Sequence, residues 1–207
     1  MNFKDYFNEL KLVIKEHYIL ILGFIFVSII LQFVSVPFIS ILLMLILIFY
    51  LSKTEQYKSG SLIGKIFQFI LFFVFIIIFS VIILIPVSVI SLGLENLTPE
   101  NVANSYVIQN AVKILAYISI LFIFAPYRIF DTNANVFKAI IYSCSVVINN
   151  FLIFIITTIF VVVLNILTIN ISMFDYYVYL LTIILMASIY RLHVKQTLIK
   201  GDKNENN

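Results

Sequence analysis

The side chains able to do chemistry in this sequence are few and scattered. His17 and His193 each stand alone beside a long apolar block, without an HExxH spacing or a cysteine partner. Zinc chemistry needs a clustered ligand set that this pattern does not provide. Cys144 is the single cysteine, which excludes an internal disulfide and a CxxC redox pair. No Gly-rich phosphate loop, GxSxG or pair of closely spaced carboxylates is present. Within the apolar blocks the polar residues are Gln32, Gln68, Thr157, Thr158, Asn165 and Thr182, with no Asp, Glu, His, Lys or Arg near a block centre. Buried ionisable groups mark proton relays, ion paths and intramembrane catalysis, so pump, ion-coupled transporter and protease readings all lose support. The expectation is a protein that is not an enzyme and has no cofactor or metal. Asn165, in "VVVLNILT", is the candidate intramembrane polar contact. An interhelical hydrogen bond worth about 0.6–2 kcal/mol explains it first, and a contact to substrate second.

The elements that position these residues are dictated by composition. Of 207 residues, 63% are hydrophobic and 11% charged, where soluble domains carry about 25% charge. Blocks such as "YILILGFIFVSIILQFVSV" and "IFQFILFFVFIIIFSVIILIPVSVI" are apolar all round. About 20 such residues in a helix cross a hydrocarbon core of about 30 Å. Barrel strands would alternate instead, and a helix satisfies its own backbone where lipid cannot. The net charge of +3, spread along the chain, does not make a nucleic-acid footprint. The first 17 residues mix Lys4, Lys11 and Lys15 with Asp5, Glu9 and Glu16, and no A-x-A-like site closes the next block. The first span is therefore expected to stay uncleaved. Lysine far outnumbers arginine amid abundant Ile, Phe and Asn, which hints at an A/T-rich bacterial source.

These blocks predict an all-α integral membrane fold of six transmembrane helices, over residues 18–36, 38–51, 66–92, 106–126, 151–168 and 174–190. Pro37 separates the first two as a helical hairpin, and Pro86 is expected to kink the third or mark an interfacial extension. With six spans, twelve of the thirteen Lys and Arg residues fall on the side of both termini, and only Lys113 falls opposite. Cytoplasmic loops are enriched in these residues, so both ends are expected in the cytoplasm of a cell inner (plasma) membrane. On the other face lie "ENLTPENVANS" and "NISMFD", followed by Tyr176, Tyr177 and Tyr179 as interface anchors.

Two further segments are amphipathic. In "NANVFKAIIYSCSVVINN", Phe137, Ile140, Ile141, Cys144, Val147, Ile148 and Phe151 recur at helical spacing, while Lys138, Tyr142, Ser145 and Asn149 share the other face. Asp131, Thr132 and Asn133 precede it as candidate helix caps. Residues 134–150 are thus expected as an interfacial helix on the cytoplasmic side, and Lys138, Tyr142, Ser145 and Asn149 form a candidate face for lipid or a partner. Residues 1–17 repeat the arrangement, with Phe3, Tyr6, Phe7, Leu10, Val13, Ile14 and His17 on one stripe and Lys4, Asn8, Lys11 and Lys15 on the other. The two units resemble a degenerate repeat of an interfacial helix followed by a span. The division expected is 1–17 interfacial, 18–192 a single membrane domain, and 193–207 a polar cytoplasmic tail.

The stretch "APYRIFDTNANVFKAIIYSCSVVINNFLIFI" resembles a bacterial six-helix membrane domain found alone or fused to glycerophosphodiester phosphodiesterases. In that superfamily a span ends in a proline-containing segment, followed by an acidic linker and an interfacial helix of the form A-x-x-x-S near a polar residue. Pro126, Asp131, Ala139, Ser143 and Asn149 occupy those roles, and "SIYRLHV" is similar to the close of such domains. The resemblance is best over residues 125–155. It implies a membrane or envelope role and no catalytic residues. The expected function is non-enzymatic membrane or envelope organisation, or service as a partner subunit. The partners expected are the lipid bilayer and a membrane protein, with no nucleic acid. The alternative is a small-molecule transport component, with "ENLTPENVANSY" and Asn165 building its pocket.

Overall fold

The computed structural model describes residues 3–34, 45–54, 56–58, 60–168 and 172–205, and these are helical apart from short turns, with no strand among them. Helix α1 runs from Phe3 to Val34. Residues 45–51 are helical (α2). Then follow α3 (Leu62–Leu92), a short 3-10 turn (Leu94–Asn96), α4 (Pro99–Asn104), α5 (Tyr106–Ile120), α6 (Ala125–Thr132), α7 (Val136–Asn149), α8 (Phe151–Thr168) and α9 (Ser172–Glu205).

Three helical stretches among these residues are long and apolar enough to cross a membrane: Leu62–Leu92, Tyr106–Thr132 and Tyr177–Ile199. A fourth is possible in kind, because α7 and α8 meet the same test as a pair bent by 93°. The six expected spans compare with this unevenly. Span 18–36 is described as far as Val34 and span 38–51 only from residue 45, so the hairpin expected at Pro37 lies outside the described residues.

Helix α3, at 31 residues, is about 46 Å long by its rise of about 1.5 Å per residue. It ends where Gly93 adopts φ 76°, a left-handed conformation open to glycine, and donates its N–H to Val89 O at 2.9 Å. The span expected over 106–126 lies within the candidate span Tyr106–Thr132, which contains turns at 121–124. Pro126 has no N–H to give to the Phe122 carbonyl, and Ala125 N takes that carbonyl at 3.0 Å in a tighter turn.

Helix α9 is the hub. Ile184, Leu185, Met186, Ala187, Ser188, Ile189 and Tyr190 are all buried, with small Ala187 and Ser188 allowing close approach of neighbours. Helices α1 and α8 pack along α9, α3 packs on α5, and α6 and α7 pack on each other and on α3. The expected boundary at 193 falls inside α9, where His193 and Val194 are buried and the helix continues to Glu205. The expected boundary at 17 falls on a kink, because His17 leaves helical geometry at φ −118°, ψ 17°. Outside the hub, α3 and α8 present apolar surface. Phe67, Ile70, Phe73, Ile77, Val81 and Ile85 of α3, and Leu152, Ile159, Phe160 and Ile166 of α8, are exposed.

Candidate functional site

The polar side chains concentrate where α1, α6, α7 and α9 meet the loop after α2. Asp131 is fully buried at the end of α6. Its carboxylate accepts hydrogen bonds from Thr54 N at 2.9 Å, Thr54 Oγ1 at 2.6 Å and the Tyr190 hydroxyl at 2.9 Å. The same loop binds back through Lys58 N to Asp131 O at 2.8 Å. A Cβ at Gly60 would come within 3.1 Å of the Asn133 side chain, so a larger residue there requires Asn133 to give way by a few tenths of an ångström. Lys65, also fully buried, donates to Lys58 O at 2.9 Å and Phe130 O at 2.7 Å, with its ammonium 4.2 Å from the Tyr57 ring centroid. A buried ammonium is tolerable only with such acceptors around it.

Asp131 is therefore not a cap of α7, as its position before the helix suggested. Asn135 caps α7, its side-chain oxygen accepting from Lys138 N at 3.0 Å. Burial takes Asp131 inward because three donors from distant segments reach it there.

A second group ties α1 to α9. Arg191 NH2 donates to Glu16 Oε2 at 2.8 Å, and its Nε approaches Glu9 Oε1 at 3.1 Å, an ion-pair contact outside hydrogen-bond geometry. Lys195 donates to the other Glu9 oxygen. His17 Nε2 lies 3.5 Å from Arg191 NH1. Burial and the adjacent Arg191 charge both hold the His17 imidazole below its ordinary pKa.

Helix α7 carries three faces rather than two. Val136, Ala139, Ser143, Val146 and Asn150 point into the protein and are buried, whereas Phe137, Ile141 and Ile148 of the expected dry stripe are exposed. Ser143 repairs the break after α5, its hydroxyl accepting from Phe124 N at 2.9 Å and donating to Leu121 O at 2.7 Å. Broken backbone at depth must find partners of this kind. Asn150 ends α7 at φ −120°, ψ 24°, and its amide lies 3.0 Å from His193 Nδ1.

The third face holds the candidate residues. Lys138, Tyr142 and Ser145 line an open cleft of about 1190 Å³ with Gln56, Lys58 and Arg128 among the other lining residues. Asn149 is not on its wall but donates to Ser145 Oγ at 3.0 Å. The Arg128 guanidinium lies 4.1 Å over the Tyr142 ring and donates to Gln56 Oε1 at 2.8 Å. Asn165 is elsewhere, exposed in the last turn of α8. The segment 95–106, required by a transport pocket, is mostly exposed, and neither it nor Asn165 lines the cleft or the two smaller cavities.

Asp131, Lys65, Glu9 and Arg128 were not singled out as site residues from sequence. Lys65, Arg128 and Asp131 lie at or near block ends and Glu9 lies in the amphipathic stretch 1–17, places where a charge looks solvated. The one available signal was that Asp131 and Tyr190 both fall in the stretches carrying the family resemblance. Among the described residues no three His, Cys, Asp or Glu side chains are grouped to hold a metal ion. No family model matches the chain, and no curated protein or solved structure matches it.

Proposed function

We propose that this chain is a non-enzymatic, multipass protein of a bacterial plasma membrane that serves as a partner subunit organising the membrane or envelope. It has six spans with both termini in the cytoplasm. The observation that carries this reading is the division of the surface. Asp131, Lys65, Glu9, Glu16 and Arg191 gather at one junction, where hydrogen bonds and ion pairs engage them, while α3 and α8 expose apolar side chains along their lengths. Only lipid, or the spans of another subunit, covers such a surface without cost. The lysine asymmetry supports the orientation. Kinship with the six-helix domain related to glycerophosphodiester phosphodiesterases is part of the same proposal, supported by the burial of Asp131, Ala139 and Ser143 on the inner side of α6 and α7.

Two measurements test it. Cysteines introduced at positions 57 and 99, in a chain whose Cys144 is replaced by Ser, should label from opposite sides of the membrane. Labelling from one side overturns the six-span arrangement. Crosslinking in native membranes should recover one dominant partner, and recovery of monomer alone overturns the subunit role.

A further inference from the structure

Two clefts open beside residues 53–58, and their charges are balanced differently. The smaller, about 340 Å³, is lined by Glu16, Lys53, Arg191 and Lys195 among others. There Arg191 is engaged by Glu9 and Glu16, and Lys195 by Glu9. The larger, about 1190 Å³, gathers Lys58 from the loop, Arg128 from α6 and Lys138 from α7, with no carboxylate among its described lining residues. Asp131, three positions from Arg128, is buried with Thr54 and Tyr190 on its oxygens and is not part of the wall.

We infer that the larger cleft binds the phosphate-bearing headgroup of an anionic phospholipid. Arg128 is held in place by the Tyr142 ring beneath its plane, the Gln56 side-chain oxygen on NH1 and the Tyr190 hydroxyl, which in turn is bonded to Asp131. These contacts restrict its rotamers before a ligand arrives, and no carboxylate is bonded to it directly among the described residues. A guanidinium fork with donors to spare suits phosphate oxygens. Lys58 and Lys138, both exposed, add mobile point charges on the other walls. The cleft exceeds the roughly 300–1,000 Å³ typical of small-molecule sites, so a lone phosphate would leave most of it to water. Its wall is also amphiphilic. Ile141 belongs both to the cleft and to the exposed apolar row of α7 that includes Phe137 and Ile148. An acyl chain leaving a bound headgroup meets that row directly, and inorganic phosphate has no use for it. The inference rests on the membrane reading above and names the ligand class of the Lys138–Tyr142–Ser145 face.

The test is lipid retention by native mass spectrometry after release from nanodiscs of equal phosphatidylglycerol and phosphatidylcholine. The wild-type chain should retain phosphatidylglycerol preferentially. Lys138→Gln and Arg128→Gln should each reduce that preference about fivefold, the effect of one basic group near an anionic surface. Lys113→Gln, on exposed α5, should leave it unchanged. If Arg128→Gln fails to fold, the exposed pair Lys58→Gln and Lys138→Gln carries the measurement. Unchanged preference in that pair overturns the assignment. A second arm adds inorganic phosphate to protein in phosphatidylcholine discs. Thermal stabilisation equal to that given by phosphatidylglycerol would also overturn the lipid assignment, in favour of free phosphate. The retention ratio is read whatever the span count, so its failure is separate from failure of the topology experiment.

Discussion

Two helices in this chain approach an apolar helical run and enter it through nearly the same backbone conformation. His17 sits at φ −118°, ψ 17° within α1, and Asn150 at φ −120°, ψ 24° between α7 and α8. Both joints also touch the same short stretch of α9, His17 through Arg191 and Asn150 through His193. What surrounds them differs. The first joint is bound by carboxylates, with Glu9 and Glu16 absorbing the charge of Arg191 and Lys195. The second is bound by neutral groups, an amide on an imidazole and a serine on broken backbone. Its neighbouring cations are left facing a cleft. The two joints thus share a backbone geometry, whereas the charges beside them are paired with acids only at the first among the described residues. One side becomes a fastener and the other keeps a field to offer.

Substitutions that separate fastening from charge sharpen this contrast. The largest effect should come from Asp131→Ala, which strips the acceptor from Thr54 and Tyr190 in a fully buried setting. Each buried donor left without its acceptor costs about 1–3 kcal/mol, and with Thr54 and Tyr190 both orphaned the loss should exceed that of the other variants when measured by denaturant unfolding in detergent micelles. Next is Glu9→Gln at the first joint, expected to cost about 1.5–3 kcal/mol by the worth of hydrogen bonds to charged groups. An equal loss from Lys138→Gln would erase the contrast between fastened and unfastened cations. That exposed substitution should instead stay within about 0.5 kcal/mol of wild type. Ser143→Ala should cost about 1–3 kcal/mol, because it orphans a backbone N–H and a carbonyl at the α5 break.

The smallest effect is the pH response of the first joint. Burial and Arg191 lower the His17 pKa, with Glu16 opposing and Lys53 adding to the shift. The unfolded chain therefore binds the proton more readily, and the stability contributed is present above the ordinary imidazole pKa of about 6.5 and lost as pH falls through the lower folded value. Melting temperature should drop between pH 7.5 and 5.5, and His17→Gln should flatten that drop. A drop of the same size in His17→Gln would assign the response to other groups.

Much of the scaffold was legible in the sequence. The apolar blocks at 66–92 and 151–168 became α3 and α8, and the period of 134–150 became α7 within two residues at its start. Facing was not legible. An interfacial helix turns its apolar row to lipid, and Phe137, Ile141 and Ile148 are exposed accordingly, but lipid is as apolar as a protein core, so nothing marked Val147 of the same row, or Ala139 and Ser143, as the side that packs inward. The buried charges were hidden for a related reason. Asp131 and Lys65 sit at block ends, and their burial depends on a loop that folds back across α6 through Thr54 and Lys58. Nothing local to either residue encodes that return. The cleft escaped notice likewise, since its three cations come from three segments and only Lys138 carries the amphipathic period.

The hydrogen bond from Tyr190 to Asp131 joins residues 59 positions apart, and this order has a biosynthetic consequence. At about 5–20 residues per second, roughly 3–12 s pass between translation of the aspartate and of the tyrosine that completes its shell. His193, which receives Asn150, is made three residues later. Throughout that interval the nascent chain holds an acid and an amide that lack their final donors and acceptors. A chain interrupted before Tyr190 therefore lacks the hydroxyl that closes the Asp131 shell and leaves that carboxylate with the Thr54 donors alone.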